Sequence, residues 1–200
     1  MAMLSLDYFI DNYIYFYHLG ESGEYMILPT YPTTIADSMG STFNQTTALS
    51  RSAPVFTYAN SGPRVVTINL ELHRDMVNDL NITAGNTNLK SNVVSQTDDY
   101  VDILIKELQS IALPRYNVNN RAVIPPRVAV RFGNELFISG VVNSTISCVY
   151  NKPILSNGKY AKVSIGFTVS EYDPYDATLV SQLGSFRGIT SANNIFSSAS

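Results

Sequence analysis

Asp173 and Asp176 are the one pair of carboxylates in this sequence whose setting suggests general acid–base chemistry. They lie in the stretch EYDPYD, where Pro174 favours a turn with both side chains at the surface. A paired acid and base of this kind could catalyse a hydrolysis. The chain has no tryptophan to form a sugar-stacking platform, although its thirteen tyrosines weaken that objection. A hydrolase is therefore the least favoured of three functional hypotheses.

The other groups that could react or bind a metal have simpler structural explanations. Asp98 and Asp99 are adjacent acids, but they open a helical pattern, where acidic residues favour the helix dipole. His73 falls on the polar face of an alternating strand, which predicts a solvated side chain, and His18 has no obvious partner. Cys148 is the only cysteine, so no intrachain disulfide is expected, and its strand-like surroundings predict a small buried side chain.

The familiar motifs of catalysis and cofactor binding are absent from the sequence. It contains no phosphate-binding GxxxxGK[ST] loop, no GxGxxG, no HExxH and no cysteine pair for zinc. Two histidines and one cysteine leave little for nucleophilic catalysis. We therefore expect no enzymatic activity, no catalytic residues, no cofactor and no metal.

The composition indicates one soluble domain with a lightly charged surface. A chain of 200 residues suits one domain with extensions, and an apolar content of 45% is enough for a sizeable core. Charged residues make up only 14% of the chain, against about 25% in typical soluble domains. Such a surface is common where neighbouring proteins cover it. The net charge of −3 and the scattered basic residues argue against binding to nucleic acid.

The N-terminal stretch MAMLSLDYFIDNYIYFYHLG is apolar, but it has no basic region, and Asp7 and Asp11 interrupt it. It therefore predicts neither a signal peptide nor a membrane span. We expect a soluble protein that is made in the cytoplasm.

Alternating apolar and polar residues predict the strands that would position these groups. The clearest strand is RVVTINLELHRD, where Val66 to Leu72 give one apolar face and one polar face. The segments PPRVAVRF, NELFISGVVNSTISCVY and KYAKVSIGFTVSEYD predict three further strands, joined by the turns GNE and NKPILSNGK. An earlier hairpin is predicted from Tyr13 to Leu19 and EYMILP. These patterns predict a mainly β fold, an antiparallel β-sandwich or barrel with one packed helix.

The one predicted helix runs from Asp98 to Leu113 in the segment TDDYVDILIKELQSIALPRY. Thr97 is the expected N-cap, an apolar stripe recurs at helical spacing, and Pro114 ends the helix. The preceding segment, Met76 to Ser95, is rich in Asn, Thr and Gly and is predicted to be a loop. The segment Thr30 to Ala53 is too long for a plain hairpin loop, so it is either a functional extension or a pair of short strands in a long excursion.

The second half of the chain resembles a known family. The helix is followed by IPPRVAVRFG, a strand pair and a last strand that ends in the acidic turn TVSEYDPYD, matching the family pattern at Pro126 to Val130, Gly133 and Phe167 to Pro174. This order of elements is similar to that of baseplate-proximal tail proteins of contractile phages and related injection systems, which initiate or cap the tail tube. The similarity covers roughly Pro54 to Asp176. Members often carry a LysM module, and this sequence has none that is recognisable.

The resemblance implies a structural role rather than catalysis. It implies a tail-tube-type barrel over residues 1–176, with a C-terminal extension over residues 177–200, packed in a homo-oligomeric, hexameric ring that joins the tail tube to the baseplate hub of the virion. The alternative is a carbohydrate- or receptor-binding β-sandwich on a virion or cell surface. Pro174 cannot continue a strand ladder, so the EYDPYD turn is expected to redirect the chain toward a neighbouring subunit.

The two extensions, Thr30 to Ala53 and Ala177 to Ser200, carry spaced apolar side chains that a flexible linker does not need. We expect these side chains and the residues of the acidic turn to contact neighbouring subunits, and we expect a chain without the C-terminal extension to fold but fail to assemble. The expected contact residues are Ile35, Met39, Phe43, Leu49, Tyr172, Asp173, Tyr175, Leu179, Leu183, Phe186, Ile189 and Phe196.

Overall fold

The fold is mainly antiparallel β, as the alternating sequence patterns predicted. The computed structural model describes residues 12–17, 24–28, 30–47, 49, 52–83, 94–95, 97–116, 123–124, 126–133, 136–172 and 177–178. The strands are β1 (Asn12–Tyr17), β2 (Glu24–Ile27), β3 (Thr34–Ser38), β4 (Ser41–Thr46), β5 (Val55–Ser61), β6 (Val65–His73), β7 (Arg115–Tyr116), β8 (Val123–Ile124), β9 (Arg127–Phe132), β10 (Leu136–Val142), β11 (Ser147–Ile154) and β12 (Tyr160–Glu171). The helices are α1 (Arg74–Thr83) and α2 (Tyr100–Ile111).

The main sheet has eight strands and is open. Seven of them lie in the order β2-β1-β9-β10-β12-β6-β3, and β11 pairs with β12 beside β10. Every ladder is antiparallel. Among the described strands, β2 and β3 are the two edges of the sheet, and they do not pair with each other. The sheet therefore does not close, and the barrel that was one alternative of the predicted fold is wrong.

Strand β12 organises the sheet, because its twelve residues pair with β6 on one side and with β10 and β11 on the other. The predicted single strand NELFISGVVNSTISCVY is in fact two strands, separated at residues 143–146. Val142 faces Val169 and Ser147 faces Gly166, so four residues of this connection lie opposite two residues of β12. The Ser144 side chain accepts a hydrogen bond from the Thr168 N–H at 2.9 Å, which satisfies the backbone at the break.

The predicted hairpins are present. Strands β1 and β2 pair as expected, and the GNE turn joins β9 to β10. At the second turn Gly158 has a φ of 80°, a conformation that favours glycine, and the Asn157 side chain accepts the Lys159 N–H at 3.0 Å. The strand before this turn extends to Ile154, so the connection is shorter than the segment NKPILSNGK suggested.

The core lies between one face of the sheet and α2. The alternation predicted for β6 and β12 is confirmed from Val66 to Leu72 and from Val163 to Val169, where the apolar residues are buried and the residues between them are not. At the end of β12 the polar Ser170 is buried as well. The helix contributes Tyr100, Val101, Leu104, Ile105, Leu108 and Ile111, which form one stripe at helical spacing. Burial of each such side chain contributes roughly 1.5–3 kcal/mol to the free energy of unfolding.

Helix α1 corrects two predictions, since residues 76–95 were expected to form a loop and only one helix was expected. It follows β6 directly, and it contacts α2 at the Asn78 side chain, which accepts the Tyr100 N–H at 3.1 Å. The N-cap of α2 is also corrected: Asp99, not Thr97, accepts the N–H groups of Val101 and Asp102. The helix begins at Tyr100 because Asp99 itself is in an extended conformation.

Candidate interaction surface

A two-stranded hairpin, residues 41–61, is the most prominent surface feature, and we call it the arm. Its strands β4 and β5 pair only with each other, in a sheet separate from the main sheet. All described residues of the arm are exposed except Pro54, which is half-buried. Of the two alternatives for the long excursion, short strands are present: β3 joins the main sheet at its edge, and β4 continues into the arm.

The arm presents large apolar side chains to solvent. Phe56 is 63% exposed and Leu49, between the two strands, is fully exposed at 100%. The rings of Phe43 and Tyr58 stack edge to face with their centroids 5.7 Å apart. Arg51 is the only charged residue between positions 41 and 61 of the sequence. Contiguous exposed apolar side chains of this kind mark interaction surfaces in soluble proteins.

The base of the arm is fixed by a buried arginine. The Arg64 side chain is 2% exposed, and its Nε and Nη2 donate to the Asp37 carboxylate at 2.9 and 2.7 Å. Its Nη1 donates to the Phe137 carbonyl at 3.1 Å and lies 3.9 Å from the Glu171 carboxylate. Because Asp37 is on β3, Phe137 on β10 and Glu171 on β12, one side chain connects the edge strand to the middle of the sheet.

The structure brings four of the predicted contact residues to the end of the sheet that carries the arm. Phe43 and Leu49 lie on the arm and Met39 lies on the link from β3; all three are exposed. Ile35 is exposed too, but it lies farther along β3, opposite Ile68. Tyr172 is also exposed, and it follows Glu171, whose N–H donates to the Arg64 carbonyl at 2.8 Å beside the arm base.

Tyr172 also stacks on the Arg127 guanidinium, which lies 4.5 Å from the ring centroid. The remaining predicted contact residues and the candidate hydrolytic Asp176 lie outside the described residues: Asp173, Tyr175, Leu179, Leu183, Phe186, Ile189 and Phe196.

Sequence reasoning missed half of the arm. It ended the excursion at Ala53 and gave no role to Val55, Phe56 and Tyr58, which are exposed on the return strand. The signal was present in the run VFTYAN, which is rich in β-prone residues and follows a polar turn.

The acidic residues at the start of α2 form an ion-pair cluster. Asp99 accepts hydrogen bonds from Arg74 at 2.5 Å and from Lys159 at 2.9 Å, and Asp102 accepts from the same two residues. Burial acts to raise the pKa of Asp99, but the hydrogen bonds from Arg74 and Lys159 outweigh it and hold that pKa below its ordinary value. The cluster joins the starts of both helices to the β11–β12 turn.

The remaining groups that could do chemistry are placed as follows. His73 is exposed, as its position on the polar face predicted. Cys148 is half-buried against the core, and burial raises the pKa of its thiol, which lowers its reactivity. Within the described part of the chain, no three His, Cys, Asp or Glu side chains are grouped as metal ligands would be.

Comparisons with known proteins gave no relative: no family model matches the sequence, and no curated protein matches it significantly. None of the helices in the described residues combines the length and apolar character that crossing a membrane requires.

Proposed function

We propose that this chain is a structural subunit of a phage tail, in a ring that connects the tail tube to the baseplate hub. The observation that carries the proposal is the arm. Its apolar side chains contribute nothing to the core of the chain that bears them, and a covering surface on a neighbouring protein gives them a use. The proposal assigns the chain no catalytic activity.

The energetics favour a protein partner for the arm. Full burial of one large apolar side chain contributes roughly 1.5–3 kcal/mol, so three or four of them contribute about 4.5–12 kcal/mol, which is comparable with the cost of association. A hairpin whose strands are already paired loses less conformational entropy on binding than an unstructured segment does. Arg64 reduces this loss of conformational entropy further, because its hydrogen bond to Asp37 holds the base of the arm against the main sheet.

The order of elements supports the choice of a tail protein. A helix, the strand PPRVAVRFG, a strand pair and a last strand ending at the EYDP turn follow one another as in the baseplate-proximal tail family that the sequence resembles. The hexameric ring and the location in the virion come from that resemblance. The end of the last strand lies beside the arm base, because the Glu171 N–H donates to the Arg64 carbonyl.

Electron microscopy of assembled particles tests the function. Particles carrying a tagged copy of the chain are expected to show the tag as a ring between tail tube and baseplate. A tag at the tips of fibres would overturn the proposal and favour the carbohydrate- or receptor-binding alternative.

A further inference from the structure

A small notch opens on the outward face of the main sheet, opposite the face that α2 covers. It lies where β6, β11 and β12 meet, and it has a volume of about 180 Å³. Gly166 forms its floor, facing Asn69 on β6 and Ser147 on β11. A Cβ atom at Gly166 would lie 2.8 Å from Asn69 Oδ1, so any larger residue would begin to fill the notch. The walls come from Thr33, Glu71 and Val149.

Several polar groups of the notch already have partners. Thr33 Oγ1 donates to the Asn69 carbonyl at 3.1 Å, and Asn69 Nδ2 donates to Thr34 Oγ1 at 2.9 Å. The Glu71 carboxylate forms an ion pair with Lys162. An apolar guest would therefore leave these particular groups with their partners, which avoids at these groups the cost of burying an unpaired donor or acceptor.

The notch fits one aromatic ring. A cavity of roughly 150 Å³ accommodates benzene, whereas sites for drug-sized ligands and cofactors need about 300 Å³ or more. Val149, on the wall, is 51% exposed and offers an apolar surface for a ring to contact. The size therefore suits a single side chain and is too small for a drug-sized ligand or cofactor.

We propose that the notch accepts Phe56 from the arm of a second copy of this chain. Phe56 is the most exposed of the aromatic rings on the arm, and it lies closer to the arm tip than the stacked pair Phe43 and Tyr58. The Phe56 ring is uncharged and stands between Val55 and Thr57 in the sequence, so it matches a notch whose carboxylate, Glu71, is paired with Lys162.

The geometry favours a second copy over the same copy. Thr33, at the notch, precedes β3, whereas the arm begins at the other end of that strand, after Ser38. Five strand residues, a span of roughly 17 Å, therefore separate the notch from the arm base. Arm and notch are different surfaces, so their pairing is heterologous and generates a ring when the rotation between copies closes.

This inference rests on the proposed use of the arm between copies, and photo-crosslinking of the full chain tests it. Phe56 is replaced by p-benzoylphenylalanine, and the protein is mixed at high concentration with an equal amount of isotope-labelled chain. We expect adducts that join a light and a heavy chain and map to residues 147–149 or 164–166. The same photoreactive residue at Tyr116, which is exposed on β7 and does not belong to the arm, is expected to give none there.

Two variants of the accepting copy sharpen the test. Val149→Glu puts a charge in the notch and should reduce the light–heavy adduct by about tenfold or more, because the ring would have to desolvate it. Tyr150→Glu adds the same charge at the next residue of β11, on the opposite face, and should leave the adduct unchanged. Equal loss in both variants would overturn the assignment of the notch.

The possible outcomes distinguish a wrong assignment of the notch from a wrong proposed function. Light–heavy adducts that map elsewhere on the second copy would overturn the notch and leave the proposed ring standing. Adducts confined to single chains would overturn contact between copies through the arm, and with it the principal support for the ring.

Discussion

Asp99 shows how one residue can hold two parts of the molecule together. It caps α2, and it is also an ion-pair partner of Arg74, whose side chain is only 3% exposed. Adjacent acids at the start of a predicted helix indicated capping, and this part of the prediction was correct apart from which residue is the cap. The ion pairs could not be predicted, because Arg74 and Lys159 lie far from Asp99 in the sequence and only the fold brings them together.

Asp99→Asn should keep most of the cap, because asparagine is also a good N-cap, and should lose the ion pairs. We expect the free energy of unfolding at pH 7 to fall by about 2 kcal/mol, less than for an isolated buried pair because Asp102 still faces Arg74. Urea denaturation measures the change. Asp98→Asn is the matched control and should change the free energy of unfolding by less than about 0.5 kcal/mol.

The lowered pKa of Asp99 also predicts how stability depends on pH. The unfolded chain binds a proton at this carboxyl near its ordinary pKa of 3.8, whereas the folded chain binds one only at lower pH. The contribution of Asp99 is therefore complete above the unfolded pKa and is lost as the pH falls through the folded pKa. The free energy of unfolding of Asp99→Asn should consequently fall less steeply with acidification below about pH 4 than that of the wild type. Parallel slopes would contradict this role for Asp99.

Among the helices and strands, the sequence predicts those in which apolar residues recur at regular spacing because one face of the element is buried. The strands β6 and β12 and the helix α2 each carry a regular apolar face, and each was predicted. Helix α1 was missed because its segment is rich in Asn, Thr and Gly, which favour a loop. Among its described side chains Val77 is buried, and the Asn78 side chain accepts the Tyr100 N–H of α2.

The arm was only half predicted, for a different reason. Exposed apolar residues such as Phe56 have the same sequence pattern as buried ones, so the pattern does not show whether a hairpin packs on the core or projects from it. The Gly166 notch was not predictable either, because it forms where β6 meets the consecutive strands β11 and β12, which lie far from β6 in the sequence.

The close pairing of β10 with β12 at Gly140 gives a test of the sheet topology. A Cβ at Gly140 would lie 1.9 Å from the Ser170 carbonyl oxygen, and this backbone atom cannot move aside without breaking the ladder. Gly140→Ala should therefore lower the free energy of unfolding by about 3 kcal/mol or more.

Gly40→Ala is the matched control for this test. A Cβ at Gly40 would meet no atom within 4 Å, and its backbone is outside the left-handed region. The variant should stay within about 1 kcal/mol of wild type. Both variants are measured by thermal and urea denaturation, and similar stabilities for the two would contradict the described pairing of β10 with β12.

The whole molecule divides into a body with its own core and an exposed arm, and we propose that the arm contacts another copy of the chain. The core is formed by the main sheet and α2, and none of the exposed apolar residues of the arm belongs to it. Changes in the arm should therefore affect assembly without affecting folding. A receptor-binding module would not require this separation, since its binding surface need not be repeated in a ring.

The most direct test of the account is the double substitution Phe43→Ser and Phe56→Ser, measured by its incorporation into tail particles beside wild-type chain. The control is Met76→Ser, which removes a 49%-exposed apolar side chain from α1, outside the arm. The account predicts that both variants unfold within a few degrees of wild type, because neither change touches the core. It predicts that the control enters particles normally and the arm variant is excluded from them. Incorporation of the folded arm variant at wild-type levels would contradict the account.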